Sequence, residues 1–302
     1  MANTFSVRVP GTTANCGPGF DTLGIACTIY NELDLTLSAT GELAIVNQGE
    51  GAADLTTDES NIVFQAVKMV YDTVGKTLPG FRLTLRNAIP LARGLGSSAA
   101  AIVGGLVAAN ASLNSPLSNQ KLLELATRME GHPDNVAPAL FGGITVSTLE
   151  EDGTISALHF LPAKPLFLAV AVPAFELSTR KARAVMPSEV SMKDALFNVS
   201  HSSLLAAALC SGQYQYLPLA LQDRLHQPYR SQLIPAMEAV FAAAISAGAL
   251  GAVISGAGPT LLAFCDRFDA AIADAMVTAF SKAGIAAQAH ILEIDARGAQ
   301  VI

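Results

Sequence analysis

Residues 89–101 read Ile-Pro-Leu-Ala-Arg-Gly-Leu-Gly-Ser-Ser-Ala-Ala-Ala, with two glycines and two serines between apolar flanks. The alternating run 81–85 before them predicts a strand. The Ala/Val/Leu-rich run 99–110 after them predicts a buried helix. Gly94, Leu95, Gly96, Ser97 and Ser98 would then form a loop that opens a helix. Glycine lets backbone N–H groups approach an anion with no Cβ in the way. The first-turn N–H groups lack intrahelical partners and the dipole makes that end positive, so phosphate fits there. The serine hydroxyls can add hydrogen bonds or a metal contact. A plain helix N-cap by Ser97 or Ser98 is the structural alternative. Gly94-x-Gly96-x-x-Ala99 also fits a loose dinucleotide-binding pattern. Against it, residues 87–93 separate the loop from its strand, and Gln120 and Lys121 stand where a ribose-binding acid belongs. No Gly-x-x-x-x-Gly-Lys-Ser/Thr occurs, which excludes a Walker A loop.

Other chemistry-bearing groups lie elsewhere. Residues 10–24 are dense in Gly, Pro and small polar residues and predict a long loop carrying Asn15 and Asp21. An amide that donates and accepts, beside a carboxylate that accepts, could hold an ammonium and a hydroxyl; Asp21 as a plain turn former is the alternative. The sequence Gly131-His132-Pro133-Asp134-Asn135 breaks a helix and gathers an imidazole, an acid and an amide on one turn. His132 could instead partner the last carbonyls of that helix. Glu124, near the edge of the same helix's apolar stripe, is either a ligand or a solvated residue. Residues 178–183 hold the densest cationic cluster, ordinarily a solvated helix face, and Arg230 closes a second polar segment at 223–230. Residues 256–260, Gly-Ala-Gly-Pro-Thr, form a second glycine loop.

The elements that must position these groups follow from periodicity. Strands are expected at 6–9, 29–37, 43–46, 81–86 and from 142, and helices at 61–74, 99–110 and 119–130. The acidic turn at 150–153 suggests a domain boundary, giving 1–152 and 153–302. Beyond it, strands at 166–172, 252–255, 261–265 and 288–294 alternate with helices at 192–211, 214–219, 232–248 and 269–284, an α+β arrangement.

At 302 residues the chain has room for two domains or one large one. It is 51% hydrophobic and 14% charged, enough apolar material for a core, and its net charge is −7 with no long basic run, so a nucleic-acid surface is set aside. Cys16, Cys27, Cys210 and Cys265 show neither zinc nor redox spacing and suit a reducing, cytoplasmic compartment. The N-terminus lacks the basic and apolar regions of a secretory signal. Residues 239–264 carry no charge, but their Ala and Gly content and the loop at 256–259 fit a buried helix, strand and loop better than a membrane span.

Taken together, 10–24, 90–101 and 254–262 resemble the three ordered motifs of the galactokinase–homoserine kinase–mevalonate kinase–phosphomevalonate kinase (GHMP) superfamily. The first stretch and 130–139 are similar to the homoserine kinase branch. The resemblance implies a two-domain α+β fold, an N-terminal domain like ribosomal protein S5 domain 2 and a ferredoxin-like C-terminal domain. It implies transfer of the ATP γ-phosphoryl to the side-chain hydroxyl of L-homoserine, with Mg²⁺, by a homodimer. It aligns Pro90, Arg93, Gly94, Leu95, Gly96, Ser97, Ser98 and Ala99 with the nucleotide loop and Asn61 with an adenine contact. Ser98 and Glu124 fall at the Mg²⁺ positions. Asn15, Asp21, His132, Asn135, Arg183, Arg230 and Gly256 fall at the amino-acid site.

The residue chemistry agrees. Guanidinium forks at Arg183 and Arg230 suit a carboxylate, Asp21 suits an ammonium, and Asn15 or Asn135 could orient the hydroxyl. Asn135 stands where mevalonate kinase carries an acid, which implies a mechanism without a dedicated protein base. A sister kinase acting on mevalonate or shikimate would leave Asp21 with less to do. A non-catalytic relative would be expected to lose the loop glycines or Glu124, and all are present.

Overall fold

The computed structural model describes residues 3–38 and 41–302. The first part of the chain runs β1 (Thr4–Asn15), β2 (Gly19–Ser38), β3 (Leu43–Gly49), α1 (Ile62–Thr73), β4 (Gly80–Asn87), α2 (Ser97–Ser112), α3 (Asn119–Glu130), α4 (Pro133–Phe141), β5 (Ile144–Leu149) and β6 (Ile155–Phe160). The second runs β7 (Phe167–Pro173), α5 (Thr179–Ala184), α6 (Met192–Ser211), α7 (Leu217–Ala220), α8 (Gln227–Arg230), α9 (Met237–Ser246), β8 (Gly251–Ile254), β9 (Leu261–Cys265), α10 (Ala270–Lys282), β10 (Ala287–Glu293) and β11 (Gln300–Val301).

Caps and alternation explain the element bounds. Asn61 accepts from the Val63 N–H and starts α1, whose buried face is Val63, Phe64, Val67 and Val70. Ser118 accepts from the Lys121 N–H and starts α3, and Gly131 ends it in the left-handed region. In β4, Phe81, Leu83 and Leu85 are buried while Arg82 and Arg86 are exposed, the two-residue period of a one-sided strand. Helix α2 is buried nearly all round, consistent with its Ala/Gly-rich sequence.

Among the described residues seven strands form the larger sheet, with order β11-β1-β2-β4-β3 and β5 pairing both β2 and β6. The smaller sheet runs β10-β7-β9-β8, all antiparallel, the strand order of a ferredoxin-like βαββαβ unit. Its central strand β7 is buried on both faces. Leu168, Val170 and Val172 join the core shared with the larger sheet, while Ala169 and Ala171 face Val240, Met276 and Phe280 of α9 and α10.

Three expectations are corrected. Residues 10–24 are not one long loop: β1 and β2 form a long hairpin, with turn residues only at 16–18 and register shifts at Pro10/Gly11 and Ala14/Asn15. Those bulges let a strand carry turn-type residues. The division expected after residue 152 falls inside the β5–β6 hairpin, both strands of which belong to the larger sheet, and β11 returns to pair with β1. The break expected at 131–135 is present, with Gly131 closing α3, but residues 133–135 already belong to α4, with Pro133 at its first position. None of the described helices is long and apolar enough to cross a membrane, and 239–264 is the expected helix, strand and glycine loop.

Candidate active site

Two loops and strand β1 interlock at the N-terminus of α2. Gly96 is the N-cap residue, with φ +70° and no side-chain cap, so Ser97 and Ser98 lie inside the first turn rather than capping it. The first-turn N–H groups are left for something else to satisfy. A methyl at Gly96 would collide with the Thr12 hydroxyl, and one at Gly94 with the Ser255 carbonyl. Those close approaches, together with the positive φ, are why glycine stands there. The Thr12 N–H donates to the Leu95 carbonyl at 3.0 Å. Ser255 Oγ donates to the Gly94 carbonyl and lies 2.7 Å from Thr13 Oγ1, and Thr260 Oγ1 donates to the Arg93 carbonyl. Arg93 reaches the other way, donating to the carbonyls of Ala174 at 2.8 Å and Phe175 at 3.3 Å. The nucleotide-type loop is thus pinned to β1 on one side and to the β8–β9 turn on the other.

Beside the loop opens a cleft of about 410 Å³. Its walls include Asn15, Asp21, Asn61, Pro90, Arg93, Gly94, Leu95, Gly96, Ser97, Ser98, His132, Asn135, Arg183, Arg230 and Gly256, nearly every residue singled out from sequence. Two are not among them. Ala99 is turned wholly into the core. Glu124 is ion-paired to Lys121 at 2.8 Å along α3.

The acid that faces the loop is Glu130, whose Oε2 accepts from Ser98 Oγ at 2.8 Å. Six residues on a helix turn about 600°, so Glu124 and Glu130 point some 120° apart and cannot exchange places. Burial raises the Glu130 pKa, against the Ser98 hydrogen bond and the charge of His132. A half-buried carboxylate beside a hydroxyl, both hard oxygen donors, suits a divalent cation that would reverse that penalty.

The far end of the cleft is charged. Arg183 grips Asp21 with two bonds, Nη2 to Oδ1 at 2.8 Å and Nη1 to Oδ2 at 3.0 Å, and the Asp21 hydrogen bond raises the Arg183 pKa. The two groups expected to serve opposite ends of an amino acid are therefore paired with each other. Arg230 is 1% exposed. It donates from Nη1 to the Gly256 carbonyl at 3.1 Å and from Nε to the Ala182 carbonyl at 3.4 Å. Burial, and next the Arg183 charge, lower its pKa, but guanidinium remains protonated. Nδ1 of His132 contacts Oδ1 of the buried Asp134. Burial opposes the protonated ring, yet the Asp134 hydrogen bond and the charges of Asp134, Glu130 and Asp21 outweigh it, and the His132 pKa is raised.

The amides prove to be partly committed. Asn15 donates to the Gly256 carbonyl at 2.8 Å and accepts from the Asp21 N–H at 2.9 Å, and both residues sit at positive φ, +68° and +56°. Asn and Asp tolerate that region better than most residues. Asn135 Oδ1 accepts from Thr12 Oγ1 at 2.7 Å, and its Nδ2 donates to Asp134 at 3.3 Å. Asn61 spends both amide groups on α1 and on the Thr56 carbonyl, beside an apolar wall of Leu55, Ile62, Leu85 and Leu91.

Glu130, Thr12 and Ser255 were not singled out from sequence. Glu130 carries no local signal, because its contact with Ser98 depends on which face of α3 meets α2. Thr12 and Ser255 carry no local signal, because their partners are more than 80 residues away.

Residues 61–143 match the family description "GHMP kinases N terminal domain" and residues 205–283 match "GHMP kinases C terminal". The chain is 50% identical to the homoserine kinase of Trichormus variabilis over 301 residues, covering 99% of both chains. It is 48% identical to that of Nostoc punctiforme over 302 residues, again covering 99% of both. The crystal structure of a homoserine kinase from Cytophaga hutchinsonii superposes with a TM-score of 0.92 at 31% identity, covering 100% of this chain and 98% of that one.

Proposed function

The chain belongs to the homoserine kinases of the GHMP kinase family, and we propose that the cleft beside residues 94–98 is where its reaction takes place. That reaction is ATP-dependent phosphorylation of the side-chain hydroxyl of L-homoserine to O-phospho-L-homoserine, a step in threonine biosynthesis. One observation carries the assignment of the site. The uncapped N-terminus of α2 and the cluster of Asp21, Arg183 and Arg230 line a single cleft. Phosphate suits the first and an amino-acid zwitterion suits the second.

In this reading the backbone N–H groups of 94–98 cradle the triphosphate. The apolar wall at Leu55, Ile62, Leu85 and Leu91, with Asn61 at its edge, takes the adenine. Ser98 and Glu130 would hold Mg²⁺, which neutralises phosphate charge when bound. Glu124 has no part in it. Arg183 and Arg230 take the homoserine carboxylate and Asp21 the ammonium, so the Asp21–Arg183 pair opens and each member exchanges its partner for one end of the substrate. His132, held to Asp134, adds a donor beside the amino-acid end. Asn15 acts mainly by holding the backbone of Asp21 and Gly256 in place.

Asn135 orients the hydroxyl, and Thr12 fixes which way its amide faces. No side chain need act as base. A loose transition state makes little demand for early deprotonation, so the hydroxyl proton can pass to the transferred phosphate as the P–O bond forms. The commitment of Asp134 to His132 supports this. Full turnover in Asn135→Ala with none in a folded Asp134→Ala would reverse the assignment.

Cytoplasmic residence is supported by four free thiols among the described residues. A homodimer, implied by the resemblance, is testable by light scattering. The reaction itself is tested by coupled ADP release over a panel of alcohols: homoserine turns over, while mevalonate and shikimate do not. Absence of turnover with homoserine would defeat the reading.

A further inference from the structure

Behind the Arg230 fork lies a buried polar chain that phosphoryl transfer does not use. His226 has no exposed surface. Its Nε2 lies 2.7 Å from the Gly17 carbonyl, and its Nδ1 lies 3.3 Å from Nη1 of Arg230. A carbonyl only accepts and a guanidinium only donates, so the ring proton sits on Nε2 and Nδ1 is an acceptor. The ring stacks on Phe20, with centroids 5.2 Å apart and planes 22° apart. Phe20 in turn faces both guanidinium groups, Arg230 at 5.2 Å and Arg183 at 5.6 Å from its centroid.

Asp223 fixes the segment that carries the ring. Its carboxylate accepts from the N–H groups of Leu225, His226 and Gln227 at 2.8, 3.0 and 2.7 Å, and from Asn198 Nδ2 at 2.7 Å. Burial lowers the His226 pKa; the Asp223 charge pulls the other way and Arg230 adds to the lowering. An imidazolium there would have no lone pair to offer and would stand beside a guanidinium.

Arg230 has five N–H groups. Nη1 meets Gly256 and His226, and Nε meets Ala182. That leaves Nη2 for the cleft that Arg230 lines. We propose that His226 is a positioning residue for substrate recognition: clamped by Gly17 and Phe20, it offers Nδ1 to Arg230 and so aims Nη2 at the homoserine carboxylate. This rests on the reading that Arg230 holds that carboxylate.

Steady-state kinetics of the full chain test it with His226→Asn, His226→Gln and Arg230→Gln. Asparagine puts an acceptor near the Nδ1 position. Glutamine reaches toward Gly17 and leaves Arg230 without its acceptor. His226→Gln is expected to raise KM for homoserine about tenfold, the worth of a hydrogen bond to a charged group, with KM for ATP unchanged. His226→Asn should stay within about threefold of wild type, and His226→Gln should add nothing to Arg230→Gln. Equal KM increases in the two His226 variants, or a loss of kcat alone, would overturn the proposal. Should neither His226 variant fold, Phe20→Leu must raise KM for homoserine, and an unchanged value would overturn it equally. If Arg230→Gln itself leaves KM for homoserine unchanged, the carboxylate reading fails. If Arg230→Gln raises it and His226→Gln does not, only the present proposal fails.

Discussion

Replacing Gly94 with alanine is expected to loosen the seam where the phosphate loop meets the β8–β9 turn. Gly94 has φ +47°, and a Cβ there falls roughly 1 Å inside contact distance of the Ser255 carbonyl oxygen. The backbone penalty for a non-glycine residue in this region is about 1–2 kcal/mol. The collision is with main chain, so the loops must part. Parting breaks the bonds from Ser255 to the Gly94 carbonyl and from Thr260 to the Arg93 carbonyl, about 1 kcal/mol each. The sum is about 3–4 kcal/mol. Gly75 provides the reference: its φ is +67° and nothing lies near its Cβ direction, so Gly75→Ala should cost only the backbone term. At about 2 °C per kcal/mol for a chain of this size, the expected falls in Tm are about 7 °C for Gly94→Ala and about 3 °C for Gly75→Ala. A shift of the loop by about 1 Å should also lower kcat/KM for ATP about a hundredfold in Gly94→Ala, with no change in Gly75→Ala. Thermal melts followed by circular dichroism, with coupled ADP release, give both numbers. Equal Tm values and equal activity in the two variants would refute the claim that this seam holds the loop.

Glu130→Gln should lower kcat by about a hundredfold or more and raise the Mg²⁺ concentration needed for half-maximal rate, while Glu124→Gln stays within about twofold of wild type; a metal titration on both variants decides, and the reverse order would restore Glu124. His132 has a raised pKa in the folded protein, so its protonated form contributes stability fully below its ordinary value of 6.5, and that contribution is lost as pH rises through the raised value. Urea midpoints of wild type and His132→Gln should therefore differ most at acid pH and converge at alkaline pH; a gap that widens with pH would contradict the His132–Asp134 assignment. Cys210 is exposed, while burial pushes the thiols of Cys265 up to about 11, Cys27 up to about 12 and Cys16 further still. A thiol reagent should thus label one cysteine in the native protein and four in denaturant, and three or more labelled before unfolding would mean the β1–β2 hairpin opens readily.

Most of the fold could be read from the residues because its signals are local. Asn61, Ser118 and Asp269 cap helices that begin where their side chains say, and the alternation in 81–86 marks a one-sided strand. The hairpin at 10–24 was hidden because Pro10, Gly11, Asn15 and Gly17 carry turn chemistry. Gly17 keeps its turn, but what makes Pro10, Gly11 and Asn15 strand is pairing with residues 19–30 through two bulges, which propensity does not register. The boundary failed for a related reason: an acidic turn marks a hairpin tip as well as a linker, and only the pairing of β6 with β5 tells them apart. In the site, Asp21, Arg183, Arg230 and the loop 94–98 were visible as residue types in unusual surroundings. The choice between Glu124 and Glu130 was not, because it depends on which face of α3 meets α2. Thr12 and Ser255 were invisible because their work is done on backbone atoms far along the chain.

A crystal structure of the enzyme with homoserine and a non-hydrolysable ATP analogue tests the central claim most directly. The triphosphate should lie on the main-chain N–H groups of residues 94–98. The homoserine carboxylate should rest on Arg183 and Arg230, its ammonium on Asp21, and its hydroxyl beside Asn135 facing the γ-phosphorus. Nucleotide bound at another surface, or homoserine bound with the Asp21–Arg183 pair still closed, would contradict it.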